Sequence, residues 1–402
     1  MTVSVNARGS AFRVLMVCGE SLHPADSGGR VEKLRAVEAM VAAGVEVFVY
    51  TSDHSSALSG AVPHEWSVPA VAQSRRPFLN ASIASPLIPY QVSSHRTASD
   101  SVLALISEWR PTHVMAQHEW TLPLGRKFAH YFDIPMLLRS HNVEHELMKS
   151  MFQNSTFGAR KGYLAAEYFR SRLLFSRRGF YRGVSCVLPI SPEVSDWYSA
   201  LGLQTYCIPP VLLCRESSNV AAPTLGRAHR IGFVGNLAMP GAVDGLVWFI
   251  SEVFPRVRER LPTAEFHIGG KGATTGISNY FRRWRGDGVI FHGQVADLDQ
   301  FYRRIVCVVN PVFSGSGVNM KVGDALTHNL PLVTTIFGAR GLGTLADAVA
   351  VSSNAKDMAI LCTRLLDDPV FHAQQVLGQS RASSAFTRSA VGTLYRRALE
   401  GF

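Results

Sequence analysis

The chain has 402 residues, 47% hydrophobic and 17% charged, which excludes a disordered polymer and suits two domains better than one ordinary core. Its 40 Lys and Arg against 30 Asp and Glu give a formal charge of +10. The excess is spread along the chain, with 20 basic and 16 acidic residues in 1–205 and 20 and 14 in 206–402, so it is no basic tail but a folded surface favouring acidic partners.

The elements follow in chain order. No stretch reaches the ~18–20 apolar residues that span a bilayer, and the polar start 1–10 lacks a signal-peptide core, so a cytoplasmic protein is expected. The run FRVLMVCG (12–19) reads as a parallel strand buried on both faces. A Pro/Gly-rich loop, SLHPADSGGR, leads from it into a helix with apolar residues at Val31, Leu34, Val37, Met40 and Val41. Gly44 ends that helix before the strand VEVFVY (45–50). Strand, glycine loop, helix and strand make a βαβ unit with a right-handed crossover. A helix ending near Trp109 precedes the strand HVMAQH (113–118). Another helix, the strand PMLLRS (135–140), the segment HNVEHELMKSM, the strand CVLPIS (186–191) and a short helix over 192–201 complete the first half.

Residues 205–230 carry TYCIPPV and a polar, small-residue stretch, and read as linker. A second α/β alternation then opens with RIGFVGN (230–236), a helix over 243–261 and EFHIGG (265–270). It continues with VIFHG (289–293), a helix over 298–304, IVCVVNP (305–311), SGSGVNMKVGDALTH and PLVTT (331–335). The reading is two doubly wound, Rossmann-like α/β domains facing across a cleft, with ligands at the carboxyl ends of the strands. The boundaries drawn are 1–208, 209–385 and a C-terminal segment 386–402, whose helix over 394–399 is a candidate for packing back on the first domain.

Several motifs bear on chemistry. In FSGSGVNMK, Gly315 and Gly317 let the backbone approach a ligand, and a helix starting near Ser316 would point free N–H groups at a phosphate. Gly28 and Gly29, in Asp26-Ser27-Gly28-Gly29, are read as the equivalent loop of the first half, and together the two loops suit a diphosphate. A tight turn between strand and helix accounts for either loop alone. His118 and Glu119 close a strand at its ligand-binding end, although a histidine there also serves as a structural hydrogen bonder. His141 to His145 matches the H-x-x-E-H zinc pattern, but its first histidine sits at a strand mouth and no third ligand stands out, so no metal is expected. Asp297-Leu298-Asp299 reads as a helix N-cap rather than a metal-binding D-x-D. The six cysteines (Cys18, Cys186, Cys207, Cys214, Cys307, Cys362) form no C-x-x-C pair and read as free thiols. From Arg160 to Arg182, seven basic residues (Arg160, Lys161, Arg170, Arg172, Arg177, Arg178, Arg182) face a lone Glu167, with aromatics interleaved. That stretch is either a solvated helix face with an aromatic core side or a docking face for an anionic membrane or phosphate-bearing acceptor. No nucleic-acid-binding signature is present, so no nucleic-acid partner is expected.

Taken in order, SGGRVEKLRAVEAMVAAGVEVFVY, SHNVE and SGSGVNMKVGDALTHNLPLVTTIFGARGL resemble the retaining family-4 glycosyltransferases (glycosyl transferases group 1) of the GT-B fold, over almost the whole chain. The resemblance implies a nucleotide-sugar donor, UDP- or GDP-sugar, on the C-terminal domain and an acceptor hydroxyl on the N-terminal one. It implies transfer with retention, needing neither metal nor other cofactor. It places Gly28 and Gly29 beside the donor phosphates, His118 near the reacting sugar, and Gly315, Ser316 and Gly317 at the phosphate-facing turn. Asp324 falls where the family has the second glutamate of its E-x7-E pair, which grips the ribose, and Ser316 falls where the first would hold a sugar hydroxyl. Asn236 and Gly241 stand near the usual arginine and lysine, leaving Lys321 and Arg340 as the candidate phosphate cations. Glu119, His141, Arg160, Lys161, Arg177 and Arg178 are candidates for an acceptor or membrane face. The role implied is bacterial polysaccharide or glycoconjugate assembly, with a sugar or lipid-linked acceptor and peripheral contact with the cytoplasmic membrane. The departures at Ser316 and Asp324 leave two alternatives, a catalytically silent nucleotide-sugar binder and a sugar-nucleotide epimerase.

Overall fold

The computed structural model describes residues 12–19, 22, 28–51, 70–72, 100–153, 159–213, 229–314 and 318–402. The chain divides into two compact units, one comprising Met1–Pro210 with Arg388–Phe402 and the other Val211–Thr387.

The first unit holds a parallel sheet of β1 (Arg13–Cys18), β2 (Glu46–Thr51), β3 (Ala70–Ala72), β4 (His113–Gln117), β5 (Met136–Ser140) and β6 (Val184–Pro189), in the order β3-β2-β1-β4-β5-β6. Every residue of β4 and β5 is buried, as are five of the six in β1, which follows from helices covering both faces. The segment 204–208 is not linker. Val187 N–H donates to the Gln204 carbonyl, Tyr206 N–H donates to the Val187 carbonyl, and Ile208 N–H donates to the Pro189 carbonyl, all along β6. Its apolar residues pack on the sheet instead of joining the domains, and Ile208 is fully buried.

The last helix, Arg388–Glu400, belongs to the first unit and lies along the helix Gly28–Ala42. The two approach so closely at Gly392 that a Cβ there would come within 2.3 Å of the Ala39 carbonyl oxygen. Arg388 pairs with Glu38 at 3.3 Å, and Arg396 donates to the Ala43 carbonyl at 3.1 Å.

The second unit holds β7 (Arg230–Asn236), β8 (Glu265–Lys271), β9 (Val289–Gly293), β10 (Cys307–Asn310), β11 (Leu332–Thr334) and β12 (Ala350–Val351), all parallel, in the order β12-β11-β10-β7-β8-β9. Renumbered from one, both sheets have the order 3-2-1-4-5-6 of doubly wound dinucleotide-binding domains. The order reverses between β1 and β4 in one unit and between β7 and β10 in the other, and sheets of this kind bind ligands at such points.

This topology corrects the pairing of the glycine loops. In chain order Gly28 and Gly29 come after β1, the first strand of its sheet, whereas positions 315–317 come after β10, the fourth. The counterpart of that second loop in the first unit is the segment starting at His118, after β4.

Candidate active site

At the first switch point, β4 ends in His118, whose backbone (φ 67°, ψ 160°) lies in a region that only glycine enters freely, a conformation costing about 1–3 kcal/mol. Its neighbours enforce it. His118 N–H donates to the Arg139 carbonyl at 3.0 Å, extending the ladder to β5, and the His118 carbonyl accepts from Thr121 Oγ1 at 3.1 Å. Thr121 also bonds the Gln117 carbonyl, so one hydroxyl pins both sides of the bend. The His118 side chain stays 18% exposed, and its Nδ1 lies 3.2 Å from Oε1 of Glu144, at the start of the helix Glu144–Gln153.

Behind His118 the site is closed. Arg139 on β5 is fully buried, with Nη2 2.5 Å from Glu32 Oε1 and Nη1 donating to the Ile208 carbonyl at 2.6 Å, while its guanidinium covers the Tyr395 ring at 5.5 Å. His141 stacks at 4.2 Å between ring centres from His118, and its Nε2 lies 3.1 Å from Gln117 Oε1 and 3.0 Å from Glu32 Oε2. Burial works to raise the Glu32 carboxyl, but the charge of Arg139 and then His141 reverse that and hold it far below the ordinary range. Burial pushes His141 down to about 4, against the opposing pull of Glu32, so it is neutral at pH 7.

Two expectations fail here. Glu119 and His141 do not belong to an acceptor or membrane face. Glu119 has no exposed surface and accepts the Tyr198 hydroxyl, while His141 is 5% exposed and held by Gln117. Both are turned away from solvent by buried partners, Glu119 by Tyr198 and His141 by Gln117 and Glu32. Burial, then the nearby charge of Glu144, pushes the Glu119 carboxyl well up. Glu144 is held below its usual range, its burial outweighed by His118 and the Trp120 indole. Ligand atoms of His118, Glu119 and Glu144 come within 4.8 Å of one another, a geometry that admits a cation. A proton retained on Glu119 answers the same electrostatic need. His145 packs 5.3 Å from the Trp197 ring, apart from His141, so the H-x-x-E-H residues do not converge.

Gly28 and Gly29 are the first two residues of the helix after β1. Gly28 is exposed, and a Cβ at Gly29 would meet nothing within 4 Å.

At the second switch point, Lys321 reaches back over the end of β7. Its ammonium lies 4.9 Å from the Phe233 ring centre, and a Cβ at position 235 would come within 2.7 Å of it, so the lysine end packs directly on the bare backbone of Gly235. Burial lowers Lys321 to about 8, against the pull of Asp324. A side-chain chain sets this cation in place: Asn319 Oδ1 accepts Lys321 N–H at 3.2 Å, and Asn319 Nδ2 donates to Asn310 Oδ1 at 3.1 Å. Asn310 Nδ2 in turn donates to Thr334 Oγ1 at 3.2 Å, tying the exits of β10 and β11. Asn310, Asn319 and Thr334 were missed by sequence reasoning, and the signal was a polar residue closing an otherwise apolar run, IVCVVN.

The helix in this segment begins at Val322, not near Ser316, because Val322, Gly323 and Asp324 first bond back three residues in a tight turn under the Asn319 carboxamide. Its six residues carry Asp324 in the first turn. Gly315, Ser316 and Gly317 lie outside the described residues. Asn236 uses its Oδ1 to accept Ala238 N–H at 3.0 Å in the turn into the helix Pro240–Trp248. At position 241 a Cβ would sit 2.5 Å from Ser314 Oγ and 3.0 Å from its carbonyl oxygen, so a larger residue there needs Ser314 to give way. Arg340 is exposed and stacks 4.6 Å from the Phe337 ring. Met239, Phe313 and Ile336, beyond the ends of β7, β10 and β11, expose 53%, 42% and 66% of their surface to whatever binds there.

The basic stretch forms the helix Ala159–Phe175 and the turn Arg178–Tyr181. Phe175 and Tyr181 are core, whereas Phe169 and Leu173, one turn apart, are 64% and 57% exposed beside the exposed Arg172, Arg177 and Arg178. Lys161 is half-buried with its ammonium 5.6 Å from the Phe152 ring, Glu167 is taken by Arg170 at 2.8 Å, and the Arg160 side chain lies outside the described residues. Among the described residues no helix is long and apolar enough to cross a membrane. Asp297 caps its helix through Gln300 N–H at 2.8 Å, while Asp299 pairs with His328 at 2.8 Å. Cys18, Cys186, Cys207, Cys307 and Cys362 are free thiols, and Cys214 lies outside the described residues.

Comparisons agree with this geometry. Residues 27–208 match the model of the Glycosyl transferase 4-like domain, and residues 228–368 that of the Glycosyl transferases group 1. An uncharacterized 44.6 kDa protein in the cps region of Klebsiella pneumoniae is 24% identical over 345 residues, 83% of this chain and 85% of that one. Among solved structures, sucrose-phosphate synthase from Thermosynechococcus elongatus superposes with a TM-score of 0.67 at 15% identity, over 97% of this chain and all of that one. HepE of Anabaena, in complex with UDP and glucose, gives 0.63 at 13% identity with the same coverage. With its two parallel-sheet α/β domains, this chain therefore belongs to the group 1 glycosyl transferases of the GT-B fold.

Proposed function

We propose that the protein transfers a sugar from a nucleotide-diphosphate sugar to an acceptor hydroxyl, with retention of anomeric configuration and without a metal or other cofactor. The observation that carries this reading is the Lys321 ammonium, laid over Gly235 at the β7–β10 switch point with Asp324 on the next turn. A cation fixed at a switch point beside bare backbone suits a diphosphate, and the carboxylate one turn on suits the ribose hydroxyls. Asp324 keeps the charge of the family's second glutamate with one methylene less reach. Ser316 removes a charged acceptor, a contact worth roughly 1.5–3 kcal/mol, so other groups must hold the donor sugar. HepE of Anabaena, which superposes along the whole chain, binds UDP and glucose, and this supports a UDP-sugar ahead of a GDP-sugar.

In this mechanism the acceptor oxygen attacks the anomeric carbon from the face the nucleotide leaves. The carbon–oxygen bond to the diphosphate breaks, and the acceptor proton passes to the departing phosphate oxygen. Lys321 and Arg340 offset the charge growing on the leaving group, as fixed charges do best in a preorganised site. His118 orients the sugar, and Gly28 and Gly29 leave room for the donor at the helix start. The relative from a cps region supports a place in capsular or related polysaccharide synthesis. Phe169 and Leu173, ringed by Arg172, Arg177 and Arg178, suit peripheral attachment to an anionic membrane where a lipid-linked acceptor resides.

The test is product analysis. The protein is incubated with UDP- and GDP-sugars, with and without lipid-linked acceptors, and products are read by NMR. A glycoside of the donor's anomeric configuration is expected. A 2-epimerised sugar nucleotide formed without acceptor, or bound nucleotide sugar that is never turned over, contradicts the reading and points to an epimerase or a silent binder.

A further inference from the structure

Resting on the reading that His118 meets the reacting sugar, we propose that Glu144 is its positioning residue, fixing the imidazole as the Nδ1–H tautomer so that Nε2 faces the sugar as a hydrogen-bond acceptor. The two groups are 26 residues apart in sequence and come from different elements, one ending β4 and the other opening the helix after β5. Glu144 is 4% exposed, and its carboxyl is held below the usual range, its burial outweighed by His118. A carboxylate offers only acceptors, so at 3.2 Å from Nδ1 it requires the proton to be on that nitrogen. Among the described residues Nε2 of His118 has no hydrogen-bond partner, and the ring keeps 18% of its surface open.

The surroundings add to the constraint. The ring of His141 lies against that of His118 and is turned to Gln117 and Glu32, so it offers His118 no competing hydrogen bond. The backbone at His118 is confined to one strained conformation, which leaves side-chain rotation as its main freedom. Glu144 removes that freedom as well.

The experiment uses the full-length protein with 15N-labelled histidine, the His118 signals being assigned by their loss in H118A. In the wild type the ring is expected as Nδ1–H with an unprotonated Nε2. In Glu144→Gln, which keeps size and packing, the amide no longer compels that tautomer. Turnover is expected to fall about ten- to a hundredfold while nucleotide affinity by calorimetry stays as in the wild type. The same substitution in an H118A background is expected to change turnover no further, because Glu144 acts through His118. A wild-type Nε2–H tautomer overturns the proposal, as does an equal loss from E144Q with and without His118. If H118A itself leaves turnover intact, the role of His118 in the reaction fails, and the tautomer measurement still decides what Glu144 does.

Discussion

The two switch points share a topology and treat charge in opposite ways. In the first unit the ends of β4 and β5 are filled by the protein's own groups: Arg139, Glu32, His141, Gln117, Glu119, Tyr198 and Glu144 satisfy or constrain one another, and only His118 reaches the surface. In the second unit the same position holds a line of neutral side chains, Asn319, Asn310 and Thr334, leading to one half-buried cation, with exposed Met239, Phe313 and Ile336 around it. One unit spends its buried charges on holding a single imidazole, and the other leaves its charge and apolar surface available to a ligand. Under the proposed function, orientation of the sugar and capture of the nucleotide are divided between copies of one fold.

Breaking the internal network of the first unit has the largest expected effect. Arg139→Met strands the buried Glu32 carboxylate, and removing one partner of a buried pair costs about 3–5 kcal/mol. Urea unfolding should show that loss, and adding Glu32→Gln should recover most of it. An equal loss in the double variant would mean that packing of the arginine stem, not charge, holds this region together.

A smaller effect concerns pH. His141 has a depressed value in the fold, so its contribution is full above 6.5 and is lost as pH falls toward 4. Glu32, also depressed, adds a loss below 4.5. Glu119 is raised, so its contribution is full below 4.5 and declines as pH rises. Each titration carries a slope of about 1.4 kcal/mol per pH unit. The His141 and Glu119 slopes cancel between 4.5 and 6.5, leaving net loss on either side. Glu119→Gln should flatten the alkaline limb in urea titrations from pH 6.5 upward, and an unchanged limb contradicts a buried neutral Glu119.

The smallest effect lies in the second unit. Lys321, lowered to about 8, is charged below that value, so nucleotide affinity should decline as pH rises through it. Lys321→Arg should bind with little dependence on pH over the same range. Parallel declines in both proteins would place the titrating group elsewhere.

The fold was legible where burial is local. Runs such as VLMVC and VIFHG announce strands, the first buried along its length and the second at a sheet edge, and β9 begins and ends where its sequence pattern does. Two- and three-residue edge strands, β12 and β3, carry too few positions for a pattern. The paired helices Ala355–Asp367 and Pro369–Ala382 were missed, although Asn354 and Asp368 cap them as a sequence reading could have found. His118 was singled out from its place at a strand end, and Lys321 and Asp324 only through the family resemblance. Their controls were not, because Glu144 reaches His118 across 26 residues and Arg139 reaches Glu32 across 107. Gly315 and Gly317 suggested a helix start, but the actual one lies at Val322, after a turn set by a carboxamide whose role depends on its three-dimensional partners.

The division of labour is tested most directly by calorimetric titration of UDP and GDP into the wild type, Asp324→Ala and His118→Ala, each checked for folding by circular dichroism. Nucleotide binding should be lost in Asp324→Ala and unchanged in His118→Ala. Unchanged binding in Asp324→Ala would contradict the assignment of the nucleotide to the β7–β10 switch point.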